Sequence, residues 1–205
     1  MLNEYDDFYF FGKTDPKAAA DLLVDVVKRR VPGKFGMASI DDLQVLAPMY
    51  RGACGVDALN ERLQEALNPP SPQKAEKKVG KRVFRVGDKV MQTRNDYAKE
   101  VFNGDVGRVT GIEAQGLWVQ MDGDCNVPYR WSEASDLKHA FAASIHKAQG
   151  SEYPAVVMPM TTQHYMMLRR NLFYTAVTRA ERLAVLVGSR RAVHIAVNND
   201  DAPLR

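Results

Sequence analysis

The sequence predicts an α/β fold: a domain on a parallel sheet, interrupted by a small inserted β-barrel. Three observations lead there. At both ends of the chain, apolar runs of strand length alternate with amphipathic segments of helical period. Residues 82–136 instead carry short strands bounded by Gly, Asn and Asp turns. Between the two regimes, residues 68–81 (NPPSPQKAEKKVGK) are rich in Pro, Ser, Lys and Glu and nearly free of apolar side chains. That stretch reads as a boundary or mobile linker with solvated charges. The order strand, helix, strand, helix, insert, and then the same alternation again makes one domain from both chain ends: residues 1–80 and 137–205, around an insert at 81–136. No internal repeat is visible.

Taken in order, Phe8 to Phe11 form a short aromatic strand. Thr14-Asp15-Pro16 starts a helix, with Asp15 as N-cap and Pro16 in the first helical position. Ala19, Leu22, Leu23, Val26 and Val27 fall at helical spacing and bury one face; Pro32 and Gly33 are expected to end the helix. Leu43-Gln44-Val45-Leu46-Ala47 is a buried strand that stops at Pro48. The loop MYRGACG then leads into a helix with Val56, Leu59, Leu63, Ala66 and Leu67 on one side. Asn60 and Gln64, one turn apart, read as a polar face that anchors a loop.

In the insert, strands are expected at 89–92, 107–112 and 117–121. Asn103-Gly104-Asp105 and Asp122-Gly123-Asp124 mark turns, because Gly accepts positive φ. This density of short strands indicates a barrel of SH3-like type. After it, Ala140-Phe141-Ala142-Ala143 feeds a buried strand, followed by a polar cluster of Ser144, His146, Lys147, Gln149, Gly150, Ser151 and Glu152. A second buried strand covers 155–160. A helix then carries Thr175, Thr178 and Arg179 among Leu172, Phe173, Ala176, Val177 and Ala180. Residues 183–187 form a last strand closed by Gly188, 190–197 a terminal helix with a basic start, and NNDDAPLR a frayed tail. In α/β nucleotide-handling domains this order places charged groups at the carboxyl edge of the sheet.

Composition sets outer bounds. The chain has 205 residues, 45% hydrophobic and 26% charged, as a soluble globular protein does. A net charge of +3 and a pI near 8.8 permit a nucleic-acid partner without arguing for one. Cys54 and Cys125 are far apart and lack neighbouring ligands, so no metal site is expected and a reducing compartment is. No basic leader follows Met1 and no apolar run has membrane-spanning length, so a cytoplasmic protein without membrane contact is expected.

SIHKAQGSEYP resembles motif V, and NLFYTAVTRAER motif VI, of superfamily 1 helicases. The wording HKAQGSEYP is similar to the RecD-like, superfamily 1B branch, whose members move 5′ to 3′ on single-stranded DNA. LAPMYRGACGVDALNERLQEALNP resembles motif IV of the same helicases, and GDKVMQTRNDYAKEVFNGDVGRV the barrel they insert between motifs IV and V. The resemblance covers residues 8–198. It implies a RecA-like motor domain in two parts, 1–80 and 137–205, around an SH3-like barrel at 81–136.

It also implies roles for the polar residues. Arg179 becomes an arginine finger and Gln149 a second catalytic residue. Arginine suits the first role because its planar, permanently charged fork reaches two phosphate oxygens at once. Arg51, Gly150, Ser151 and Glu152 join Arg179 in binding ATP, with Gly150 allowing close backbone approach and Glu152 accepting from a ribose hydroxyl. Ser144, His146 and Lys147 face the DNA backbone, where hydroxyl, imidazole and ammonium donors suit phosphate oxygens. Arg94 and Tyr97, with Lys99 and Arg108, are expected to line a DNA channel.

The sequence contains no G-x-x-x-x-G-K-[ST] and no strand ending in paired Asp-Glu. The resemblance is therefore to the C-terminal half of such a helicase. ATP and Mg2+ are expected to be held mainly by an N-terminal RecA-like motor domain of the same protein, and this chain alone is expected to be inactive. Single-stranded DNA is the expected partner and a monomer the expected state. Two alternatives stay open: the helicase half of a conjugative relaxase, and a non-catalytic single-stranded-DNA adaptor module.

Overall fold

The computed structural model describes residues 7–121 and 125–200. The expected turn at 122–124 and the last five residues of the tail lie outside them. In chain order come β1 (Phe8–Gly12), α1 (Pro16–Asp25), α2 (Val31–Phe35), β2 (Leu43–Ala47), α3 (Val56–Leu67), β3 (Glu76–Val79), β4 (Arg82–Arg85), β5 (Lys89–Gln92), β6 (Val106–Ile112), β7 (Gly116–Met121), β8 (Asn126–Arg130), β9 (Leu137–His139), β10 (Ala142–Ser144), β11 (Tyr153–Met160), α4 (Arg170–Val177), β12 (Ala180–Gly188) and α5 (Arg190–Asn198). They form two compact units. One joins the residues up to Arg62 to those from Ala142 onward; the other is Leu63–Phe141. The boundaries fall inside α3 and between β9 and β10.

The first unit is built on a sheet of order β1-β12-β11-β2-β10, parallel throughout. All five residues of β2 are buried, as are the last six of β11 and of β12. Continuous apolar runs of this kind suit strands covered on both faces. One edge strand, β10, has only three residues. Asn60 guards its free side: its amide donates to Ala142 O (2.8 Å) and accepts from Ala142 N (2.9 Å), as a further strand would.

Asp15 caps α1 by accepting from Ala18 N (2.7 Å), with Pro16 following it. The expected stop at Pro32 and Gly33 does not occur. A π-helical turn at Val26–Arg30 continues α1 into α2, which ends at Gly36. Proline lacks the N–H that would bond the carbonyl four residues back, and the wider turn just before it absorbs that mismatch. The second half of the chain needs a similar adjustment. Helix α4 stops at Val177, so Arg179 lies in the turn before β12 and Ala180 already pairs with Tyr153.

The second unit contains an antiparallel sheet of order β8-β7-β6-β5-β9 and the hairpin β3–β4. Its core includes Phe84, Val90, Val109, Leu117, Val119, Val127, Tyr129 and Leu137. Strand β8 alternates exposed and buried along its length, as a half-covered strand must. Gly104 makes the expected turn, with φ 109°. Residues 76–79, read from sequence as linker, are instead the first strand of a formed hairpin.

Where that hairpin meets α3, polar side chains turn inward. Asp88 is fully buried and accepts from Gln64 Nε2 (2.7 Å), Asn68 Nδ2 (2.8 Å) and Arg85 N (2.7 Å), with His139 Nε2 at 3.2 Å. The second donor of Gln64 reaches Val83 O (2.8 Å). Gln64 thus anchors β4, as Asn60 anchors β10.

Candidate functional site

Because every strand of the first unit points the same way, its sheet has a carboxyl edge and an amino edge. The polar residues divide between them. Ser144 sits opposite Ala47, whereas Ala155 sits opposite Leu43. Residues 145–152 therefore retrace the sheet from its carboxyl edge to its amino edge, roughly 13 Å at 3.3 Å per strand residue. One loop reaches both ends.

At the amino edge, that loop is bound to the turn before β12. Arg179 Nη1 donates to Ser151 O (3.2 Å), Nε to Thr175 O (3.3 Å) and Nη2 to Thr178 Oγ1 (3.5 Å). Tyr153 N donates to Arg179 O (2.9 Å), and Ser151 N to Ala148 O (3.2 Å). A guanidinium has five N–H donors, so a half-buried Arg179 is aimed by three of them and keeps two. Gln149 and Glu152 are exposed, and neither makes a side-chain hydrogen bond among the described residues. Between them Gly150 takes φ 88°, a left-handed conformation that a side chain would strain, with open space where a Cβ would stand. The sequence reading placed Arg179 on a helix and these charges at the carboxyl edge; both points are corrected, because Arg179 and Glu152 precede their strands.

At the carboxyl edge the loop begins with Ser144. This side chain is buried, and its hydroxyl accepts from Tyr50 OH (3.4 Å). Ser144 therefore positions the short 3₁₀ turn Ile145–Ala148 and does not itself offer a surface. His146 on that turn is exposed and Lys147 half-buried. Arg51, one residue past Tyr50, is exposed on the loop after β2 and so stands at the opposite edge from Arg179. The expected grouping of Arg51 with Arg179 is not what the fold assembles.

Sequence reading missed a basic cleft on the same edge. A cavity of about 450 Å³ is lined by Lys13 and Thr14 after β1 and by Ser189, Arg190 and Arg191 after β12. The signal was present: Lys13 directly follows the apolar run that ends in Gly12, and Arg190 and Arg191 follow, after Ser189, the run that ends in Gly188.

In the second unit, Tyr97 is 76% exposed and stacks edge-on against Phe102, with centroids 6.0 Å apart. Their loop is stapled by Asn95 Oδ1 to Asn103 N (2.9 Å), Asp105 Oδ2 to Phe102 N (2.7 Å) and Asp96 Oδ1 to Ala98 N (3.0 Å). Arg94 is exposed, 3.6 Å from Asp136. Lys99 instead turns in over the Tyr129 ring (4.4 Å) and bonds Glu133 (2.8 Å), and Arg108 is also engaged. Lys99 Nζ and the Arg130 N–H lower the Glu133 pKa, while burial raises those of Tyr129 and Cys54, the latter to about 11. Cys54 and Cys125 are free thiols. Among the described residues no His, Cys, Asp or Glu cluster could hold a metal, and no helix is long and apolar enough to cross a membrane.

Residues 59–121 match the SH3 domain of ATP-dependent RecD-like DNA helicases, and 139–187 match the UvrD-like helicase C-terminal domain. The chain belongs to the RecD-like helicase family. It is 40% identical over 154 residues to the ATP-dependent RecD2 DNA helicase of Deinococcus radiodurans, covering 75% of this chain and 21% of that protein. To the RecBCD enzyme subunit RecD of Mycolicibacterium smegmatis it is 32% identical over 161 residues, covering 78% of this chain and 28% of that protein. The chain thus spans between a fifth and a third of these relatives' length. Its fold is similar to that of a Bacteroides Pif1 helicase solved with ADP-AlF3 and ssDNA: TM-score 0.54 at 19% identity, over 82% of this chain and 44% of the other. For this RecD-like chain, the parallel sheet is RecA-like and the insert SH3-like.

Proposed function

We propose that this chain is the second motor domain, with its inserted barrel, of an ATP-driven helicase that moves 5′ to 3′ on single-stranded DNA. The reading rests on one observation above all: Arg179 donates to Ser151 O, so the nucleotide-facing arginine and the motif V loop are one hydrogen-bonded assembly. ATP with Mg2+, held mainly by an N-terminal motor domain, supplies the free energy of phosphoryl transfer when bound. The residues of this chain fit that group. Arg179, fixed by its backbone contacts, presents its remaining N–H donors to the terminal phosphate and stabilises charge there. Gly150 lets main chain approach, and Glu152 and Gln149 are exposed beside it.

The same loop carries His146 and Lys147 at the carboxyl edge, where Arg51 joins them in gripping the strand while Ser144 holds their turn in place. Arg94 and Tyr97 contribute a cation and a stacking face from the barrel. A turn tied at both edges carries nucleotide state to DNA grip.

The test is ATP hydrolysis by the full-length protein, with and without single-stranded DNA. Arg179→Ala should lower the stimulated rate by about 10³–10⁵-fold while single-strand binding survives, and the 205-residue chain alone should be inactive. A rate indifferent to Arg179 sinks the assignment.

A further inference from the structure

The hairpin β3–β4 concentrates charge. Residues 74–85 hold Lys74, Lys77, Lys78, Lys81, Arg82 and Arg85 against a single acid, Glu76. That net +5 exceeds the +3 of the whole chain, so the remainder is net negative. Three of the six cations are engaged. Lys74 Nζ donates to Asn68 Oδ1 (2.5 Å), Arg82 Nη1 to Leu137 O (2.9 Å), and Arg85 pairs with Glu76 (2.7 Å) and Glu65 (3.3 Å). Lys77, Lys78 and Lys81 are exposed and have no side-chain partner among the described residues.

These three are not on a coil. Lys77 pairs in register with Phe84, and Lys78 with Val83; Lys81 follows Gly80 in the connecting turn. Phe84 is buried in the barrel core, so the ribbon is rooted while its outer part stays wet. Folding thus holds like charges together, a cost that an anionic partner would relieve.

Building on the proposed helicase reading, we propose that this ribbon contacts the phosphate backbone of duplex DNA. Surfaces for single strands pair cations with aromatic faces on which bases stack. Phe84 is the one aromatic residue between 74 and 85, and it is buried. Cations without a stacking face suit sequence-independent backbone contact. A two-stranded ribbon, with strands about 4.8 Å apart, is also narrow enough for a major groove about 12 Å wide.

The experiment compares the full-length protein with its Lys77→Ala/Lys78→Ala/Lys81→Ala variant on forked DNA and on single-stranded DNA, across a salt titration. On the fork, affinity at low salt should drop by roughly tenfold or more, and the slope of log K against log salt should shrink by about 2–3, near 0.9 for each phosphate no longer neutralised. Single-strand affinity should stay within about twofold, and the triple Lys→Arg variant should restore fork binding by keeping the charge. Unchanged fork affinity and slope, or an equal loss on single strands, overturns the duplex assignment. A wild-type protein that binds neither DNA overturns the helicase reading itself.

Discussion

The two units fix their polar groups in opposite ways. In the first, the sheet interior is apolar apart from Gln44 of β2, and the chemistry-bearing side chains stand outside it on loops, at one edge or the other. In the second, an acid, two amides and a histidine sit inside, where Asp88 gathers Gln64, Asn68, His139 and the backbone of Arg85. A loop held mainly by backbone bonds can shift as it binds, whereas a buried network is costly to leave half-satisfied. The first arrangement suits a site that must respond, and the second a scaffold that must not.

Removing the centre of that network is the harshest way to break the comparison. Asp88→Ala strands the Gln64 and Asn68 amides and the Arg85 N–H together, at roughly 3–5 kcal/mol. Both tryptophans of the chain, Trp118 and Trp131, lie in the second unit. Their fluorescence in a urea titration therefore reports that unit alone. A midpoint that barely moves would mean the network is not what holds the barrel.

The contrast also explains what the sequence disclosed. Buried strands such as β2 and β11 announce themselves as apolar runs, and Ser144 through Glu152 stand out as the polar break between two of them. What stayed hidden depends on pairing or on direction. Strand β8, NVPYR, has only Val127 and Tyr129 pointing inward and a proline between them. Strand β3 is a charged segment that becomes a strand only because β4 lies beside it. That Arg51 and Arg179 occupy opposite edges follows from the all-parallel sheet, a fact no single motif contains. The role of Asn60 was legible as an anchor, but not its partner.

Asn60 is a buried amide of the first unit that bonds an edge strand, and replacing it sharpens the comparison. Asn60→Ala leaves both the N–H and the C=O of Ala142 unpaired on an edge strand, a loss of about 2 kcal/mol. The far-UV circular dichroism transition should move while the tryptophan transition stays where it is. If both shift equally, the units unfold as one and the distinction between them is geometric only.

The smallest effect concerns His164, a buried polar group of the first unit that has no network. Its ring is 1% exposed, and neither nitrogen has a hydrogen-bond partner among the described residues. Burial lowers its pKa to about 4. An unfolded imidazole takes its proton near pH 6.5, so between those values the unfolded chain binds more protons and stability falls as pH falls. Going from pH 7.5 to 5.5, His164 should cost roughly 1 kcal/mol, with nothing lost above neutrality. The other three histidines are common to wild type and His164→Phe and cancel in the difference between them. Dichroism-monitored urea titrations at the two pH values should show the wild type losing that extra increment. If the two proteins lose stability in parallel, the ring reaches water in the native state, and the 3₁₀ segment Thr162–Met167 is an opening element of the first unit, not part of its core.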